Sequence, residues 1–159
     1  MTKAVATAFL SLNFCMYSVV LAIGGWATNK AINEGFFIGS GFDLPEQFSP
    51  ICYSMGNAAT GFFVVFSLIA SVFGVASLVV GIDHIRHWNS DGSTAMPSSA
   101  VSTAAVAWSL TALAMGFAWR EIELQNRNAK LRTMEAFLII LTVTQAAYIA
   151  AISRATTRR

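Results

Sequence analysis

The amides and hydroxyls lying within long apolar stretches are the first chemistry this chain offers. Asn13, Asn57, Thr60, Ser109, Thr111, Thr142, Thr144 and Gln145 sit in runs otherwise built from Ala, Val, Leu, Ile and Phe. A polar side chain in hydrocarbon must meet an internal partner or hold something, so such positions either join helices or contact a ligand. Asn57 and Gln145 carry the bulkiest amides, and with Thr60 they are the candidate ligand contacts from within the apolar runs. A fourth candidate is Arg120, which opens a basic segment with Arg127, Lys130 and Arg132. A guanidinium offers the forked geometry that a carboxylate accepts. Each candidate has a structural alternative: hydrogen bonding between helices for the amides and threonine, and an ordinary solvated loop for the arginine.

Other chemistries find little support. No G-x-S-x-G, C-x-x-C, H-E-x-x-H or phosphate-cradling glycine loop is present, so no catalytic residues are assigned and an enzyme is not expected. His84 and His87 lie three apart near Asp83 and Asp91, but their spacing matches no metal motif; they read as loop histidines, with no metal or cofactor implied. Cys15 and Cys52 read as small hydrophobes rather than a disulfide pair. Net charge is +2, with no basic cluster interleaved with aromatics, which does not suit nucleic acid.

The elements that must position these groups follow from charge and length. Only 11% of the 159 residues are charged and 55% are hydrophobic, where soluble domains carry about 25% charged residues. Residues 4–29, 47–82, 92–119 and 136–153 are charge-free runs of 26, 36, 28 and 18 residues. Roughly 20 apolar residues in a helix cross a bilayer core of about 30 Å. The expected fold is therefore all-α: a bundle of four transmembrane helices, over about residues 4–27, 54–82, 98–119 and 133–153, in one membrane domain covering 1–159. The first run exceeds the apolar length of a signal peptide and lacks an A-x-A closure, so it reads as a span. The longest connection, 28–53, is rich in glycine and phenylalanine and should fold back on the helix ends. The connection 120–132 is charged, and Glu123 and Arg127 have helical i,i+4 spacing.

Finer features place particular residues. Ser67/Ser71, Ala70/Gly74 and Ser77/Gly81 are small pairs four apart, which allow close backbone approach in lipid. Asn13 and Tyr17 share a face that should look into the bundle. Pro97 suits the first turn of the third helix. Thr133 reads as the N-cap of the fourth, with Glu135 in its first turn near the interface. On this reading no charged residue lies deep in any helix, which argues against a carboxylate proton relay. Four spans put both termini on one side. Lysines and arginines divide five against five between the two sides, so the positive-inside rule leaves the orientation undecided. The basic tail favours cytoplasmic termini.

Three segments carry a family resemblance. Residues 48–74, with the core MGNAATGFFVVFSLIA, residues 108–122 (WSLTALAMGFAWREI) and residues 131–152 (LRTMEAFLIILTVTQAAYIAAI) resemble the plant AWPM-19-like membrane proteins. Their order and spacing extend the resemblance over nearly the whole chain, with 28–47 and the tail matching least. The resemblance implies a multi-pass plasma-membrane protein of plants, induced by abscisic acid, dehydration, salt or cold, and associated with seed dormancy and drought tolerance. It also implies facilitated influx of abscisic acid as the activity, with a non-transporting membrane-stabilising or adaptor role as the alternative. It assigns no binding residues. A carrier would be expected to line a mid-depth cavity with Asn57, Thr60 and Gln145; an adaptor would pack its amides against each other. The expected partners are the lipid bilayer, abscisic acid, and a second copy or another membrane protein.

Overall fold

The computed structural model describes residues 3–34, 37–38, 51–52, 58–86, 96–123 and 129–157. Four helices carry nearly all of them: α1 (Lys3–Glu34), α2 (Ala58–Arg86), α3 (Met96–Glu123) and α4 (Ala129–Thr157). Between α1 and α2, β1 (Phe37–Ile38) and β2 (Ile51–Cys52) form a two-residue antiparallel ladder pairing Phe37 with Cys52 and Ile38 with Ile51. Each helix includes a stretch long and apolar enough to cross a membrane. The protein is a multi-pass, four-helix membrane bundle.

The helices outrun the charge-free runs. α1 continues through Lys30 to Glu34, α3 through Arg120 to Glu123, and α4 already includes Lys130 and Arg132. Lysine, arginine and glutamate are good helix formers. The end of a charge-free run therefore marks the edge of the hydrocarbon, whereas the backbone ladder runs on into the polar zone. A 29-residue helix such as α2 is about 44 Å long, more than the bilayer core requires. Pro97 is the second residue of α3, where its missing N–H breaks no helical bond. Thr133, expected as a cap, lies inside α4 and donates its hydroxyl to the Ala129 carbonyl at 3.1 Å. Glu135 is accordingly one turn further in than expected.

The principal contacts, α1–α2, α2–α3, α3–α4 and α1–α4, close a ring. Three approaches set the register of α1 against α2: Gly24 beside Leu68, Gly74 beside Tyr17, and Gly81 beside Leu10. Position numbers rise along one helix as they fall along the other, so the two are antiparallel. Gly81 also meets Tyr148 near the end of α4, which puts the start of α1 and the end of α4 at the same end of the bundle.

Inward positions recur every three and four residues. They are Ala6, Leu10, Asn13, Tyr17, Val20, Gly24 and Ala27 on α1, and Leu131, Met134, Leu138, Leu141, Gln145, Tyr148 and Ile152 on α4. A 3.5-residue repeat keeps one seam facing its partners, the geometry of left-handed bundles. On α3 the seam is Ala100, Ala104, Ala107, Thr111, Ala114 and Ala118. On α2 it includes Ser67, Ser71, Gly74, Ser77 and Gly81. Large residues on α1 and α4 thus face small ones on α2 and α3. The expected small pairs of α2 are all buried. Phe66 and Phe117 stack across α2 and α3 with centroids 4.8 Å apart.

The outer surface is the converse. Phe62, Val65, Val72, Phe73, Val79, Leu113 and Val143 are exposed. The distribution is apolar outside and mixed inside, as required where the solvent is hydrocarbon. Cys15 is a free thiol on this outer surface.

Gly74 has the least room for change, because a Cβ there would overlap three carbons of the Tyr17 ring. Gly74→Val is expected to destabilise the bundle by about 1–3 kcal/mol through overpacking, read as a lower thermal midpoint in detergent. A Cβ at Gly116 meets nothing within 4 Å, so Gly116→Ala should match the parent or exceed it slightly.

Candidate functional site

Polar side chains gather at mid-height. Asn13 of α1 donates through Nδ2 to Gln145 Oε1 of α4 at 2.8 Å, and its Oδ1 accepts from Thr144 Oγ1 at 2.6 Å. One turn along α1, Tyr17 meets Thr111 of α3 with 2.8 Å between oxygens. Thr111 also approaches the Ala107 carbonyl at 2.8 Å. A hydroxyl has one proton, so with that proton on the carbonyl, the Tyr17 phenol donates to Thr111. Asn13, Tyr17, Thr111 and Gln145 are all fully buried. The layer thus ties α1 to both α4 and α3, the latter across the bundle's diagonal.

Most other hydroxyls turn to their own helix. Ser67, Ser71 and Ser77 donate to carbonyls three or four residues back, at 2.6–2.8 Å, as do Ser109 and Thr142 at 2.8–3.0 Å. Trp108 Nε1 donates to the Thr142 carbonyl at 3.0 Å and links α3 to α4. This is how hydroxyls are accommodated in hydrocarbon: they share an acceptor already in the helix. Two groups are exceptions. Among the described residues, Gln145 Nε2 and the Tyr148 hydroxyl have no hydrogen-bond partner, although both residues are essentially fully buried. They lie one turn apart on α4, beside Asn13 and Gly81 respectively. A buried donor without a partner costs about 1–3 kcal/mol, so this pair holds unspent hydrogen-bonding capacity.

A second polar region lies toward the end where α3 finishes and α4 begins. Trp26 of α1 is approached by Lys130 of α4, 3.8 Å from its ring centroid, and by Lys30 at 5.7 Å. Such contacts are favourable where an aromatic ring and a cation meet at the interface. Trp119 and Arg120 are exposed. Arg120 lies in the last turn of α3, where a cation suits the helix dipole. Glu135, by contrast, is only 3% exposed. Its side chain is turned into the bundle, at the end of α4 nearest the interface. It lies in the second turn of α4, where it adjoins Met134 on the buried seam.

The four expected ligand contacts do not converge. Asn57 lies outside the described residues. Thr60 is buried near the start of α2, Arg120 is exposed at the same end, and Gln145 is at mid-height. With Gly81 level with Tyr148, Gln145 is level with residue 78 of α2, 18 residues from Thr60. That is about 27 Å along the axis. Instead, the structure brings Gln145 together with Asn13, Thr144 and Tyr148. Tyr148 was legible from its i,i+3 spacing to Gln145 on the same seam, once the seam had been identified.

These features define a class: an integral membrane protein of four spans, whose interior holds a hydrogen-bonded layer at mid-depth. The family follows from comparison. The chain matches the AWPM-19-like family over residues 11–155, and it belongs to that family. It is similar to the membrane protein PM19L of Oryza sativa subsp. japonica, with 38% identity over 142 residues, covering 89% of this chain and 72% of the rice protein. No solved structure matches.

The Asn13–Gln145 bond is open to a double-mutant cycle. Asn13→Leu, Gln145→Leu and the double variant should show a coupling energy near the range for hydrogen bonds between membrane helices, about 0.6–1.7 kcal/mol. Additive effects in detergent unfolding would mean that the two amides do not hold one another.

Proposed function

We propose that this protein facilitates influx of abscisic acid across the plasma membrane of plant cells, as part of the response to drought and related stress. Two things support this reading: family membership, with what the family resemblance implies, and one observation inside the bundle. That observation is the buried pair Gln145 Nε2 and Tyr148 Oη, two hydrogen-bonding groups at mid-depth with no partner among the described residues. Both can donate to the oxygens of a small acid. The mid-depth layer contains no lysine or arginine, so it suits the neutral, protonated acid better than its anion. The activity is passage across the membrane, with no bond made or broken.

A second reading is favoured by a different observation. Asn13 and Gln145 bond directly to each other, and Gly74 and Gly81 leave no slack beside Tyr17 and Tyr148. Amides packed against each other suit a non-transporting membrane-stabilising or adaptor protein. On either reading, four spans with so filled an interior favour work as a homo-oligomer or beside another membrane protein.

Uptake of labelled abscisic acid by proteoliposomes at two external pH values separates the two readings. A carrier gives saturable uptake that falls by about tenfold or more in Gln145→Leu and less in Tyr148→Phe. It persists in Gly116→Ala and increases as the external pH is lowered. The tenfold loss corresponds to about 1.4 kcal/mol, the scale of one hydrogen bond. Uptake equal to protein-free vesicles at both pH values would reject the carrier and leave the adaptor.

A further inference from the structure

We propose that Asn13 is a positioning residue for the buried pair Gln145 and Tyr148. By fixing the Gln145 amide it leaves only N–H groups for a ligand, so the pair holds the carboxyl end of a small molecule through an acceptor oxygen and does not need the acid's proton. The inference deepens the carrier reading and rests on it for passage across the membrane; the ordering of the amides does not. Its first support is a chain of hydrogen bonds with one direction. Thr144 Oγ1 lies 2.6 Å from one end of the Asn13 amide, and Gln145 lies 2.8 Å from the other. Bonds from a hydroxyl to oxygen run about 2.5–3.0 Å, and those from nitrogen to oxygen about 2.7–3.2 Å. The Thr144 contact is therefore oxygen to oxygen, so Asn13 Oδ1 faces Thr144 and Nδ2 faces Gln145. The Thr144 hydroxyl also has the Ile140 and Leu141 carbonyls at 3.0 and 3.3 Å, but its one proton goes to the closer oxygen.

The second support is what this chain of bonds leaves over. Asn13 Nδ2 donates, so the Gln145 group it meets is the carbonyl Oε1. Gln145 Nε2 has two N–H donors and accepts nothing. It has no partner among the described residues, and neither has the Tyr148 hydroxyl. Both residues are essentially fully buried, and they lie three apart on one helix, a spacing that makes side chains neighbours. Gly81 of α2 leaves room beside the phenol, where a Cβ would overlap Tyr148 Oη. The bond that ties α1 to α4 thus also decides which end of the Gln145 amide remains open. Without Asn13, the same amide could turn over and offer its oxygen instead.

The third support is a count of protons. A carbonyl oxygen has two lone pairs, so it can accept from Gln145 Nε2 and from the Tyr148 phenol together. An alcohol brings one oxygen and a proton of its own, which adds to a surplus of donors. In any pairing of an alcohol with these two groups, one hydroxyl proton more is left unanswered, and hydrocarbon supplies no acceptor for it. An ionised carboxylate is a stronger acceptor, but no lysine or arginine lies in the mid-depth layer to offset its charge. The class that fits is a neutral carboxyl or carbonyl group on a small apolar body, an ester included.

The test uses the full-length protein and two probes that do not ionise: the methyl ester of abscisic acid, and the primary alcohol with a hydroxymethyl group in place of its carboxyl. One readout is the rise in thermal midpoint in detergent with each probe, which reports binding. The other is competition by each unlabelled probe against saturable uptake of labelled abscisic acid into proteoliposomes. In the parent, the alcohol should bind about tenfold more weakly than the ester, the loss expected for one unanswered hydroxyl. In Asn13→Leu the ratio should fall toward one while binding persists. Thr144→Val should lower it in the same direction, and Thr144→Ser should keep the parent ratio. A merely structural role would weaken both probes alike and leave the ratio where it was. An unchanged ratio in Asn13→Leu and Thr144→Val overturns the positioning role. Equal binding of ester and alcohol by the parent overturns the donor-only site, as does binding by Gln145→Leu equal to the parent's, or no rise in midpoint with either probe. Midpoint shifts without any uptake of the hormone reject the carrier reading and leave the proposal standing. Midpoints without probe show which variants fold; if Asn13→Leu does not, Thr144→Val against Thr144→Ser decides.

Discussion

Every polar group inside this bundle must be answered by another part of the protein, because hydrocarbon answers none. That constraint organises the fold more than hydrophobicity does, since lipid tails are as apolar as the helix surfaces and give them no reason to associate. The helices associate through close backbone approach along α2 and α3, where serine, glycine and alanine line the seam, and through a few hydrogen bonds across the interior. The glycines of α2 and the tyrosines of α1 and α4 are two sides of one arrangement. Tyr17 and Tyr148 reach the bundle interior because Gly74 and Gly81 leave room for them.

The same constraint separates structural polar groups from those available for function. Serines and threonines that return a proton to their own helix carry little information about activity. Asn13 and Gln145, which have no such local solution, bridge two helices. Gln145 Nε2 and Tyr148 Oη go one step further, since they are buried and have no partner among the described residues. In a core so well matched elsewhere, an unanswered donor is the natural place to look for water or a ligand.

Much of this architecture was legible in the residues. The four apolar runs are too long and too free of charge to be anything but spans, and the small pairs of α2 pointed to its packing face. The inward face of Asn13 and Tyr17 was also legible, because two polar tips four residues apart share one side of a helix. Helix ends were less legible. A change from apolar to charged residues marks where water begins, and the backbone carries on past it. For that reason Thr133 reads as a cap in the sequence and lies within α4 in the structure.

By itself, the sequence determined that this is a membrane protein of four helices, which polar residues lie at depth, and which family it belongs to. These depend on run length, composition and local motif, all of which act along the chain. Only the tertiary structure decided which polar residues meet. Thr60 and Gln145, alike in type and both within apolar runs, are about 27 Å apart along the axis, while Asn13 and Gln145, 132 positions apart in the chain, share a hydrogen bond. The register of one helix against another is set by how large side chains on one seam fit small ones on the next. That fit involves all four helices at once, and no single run contains it.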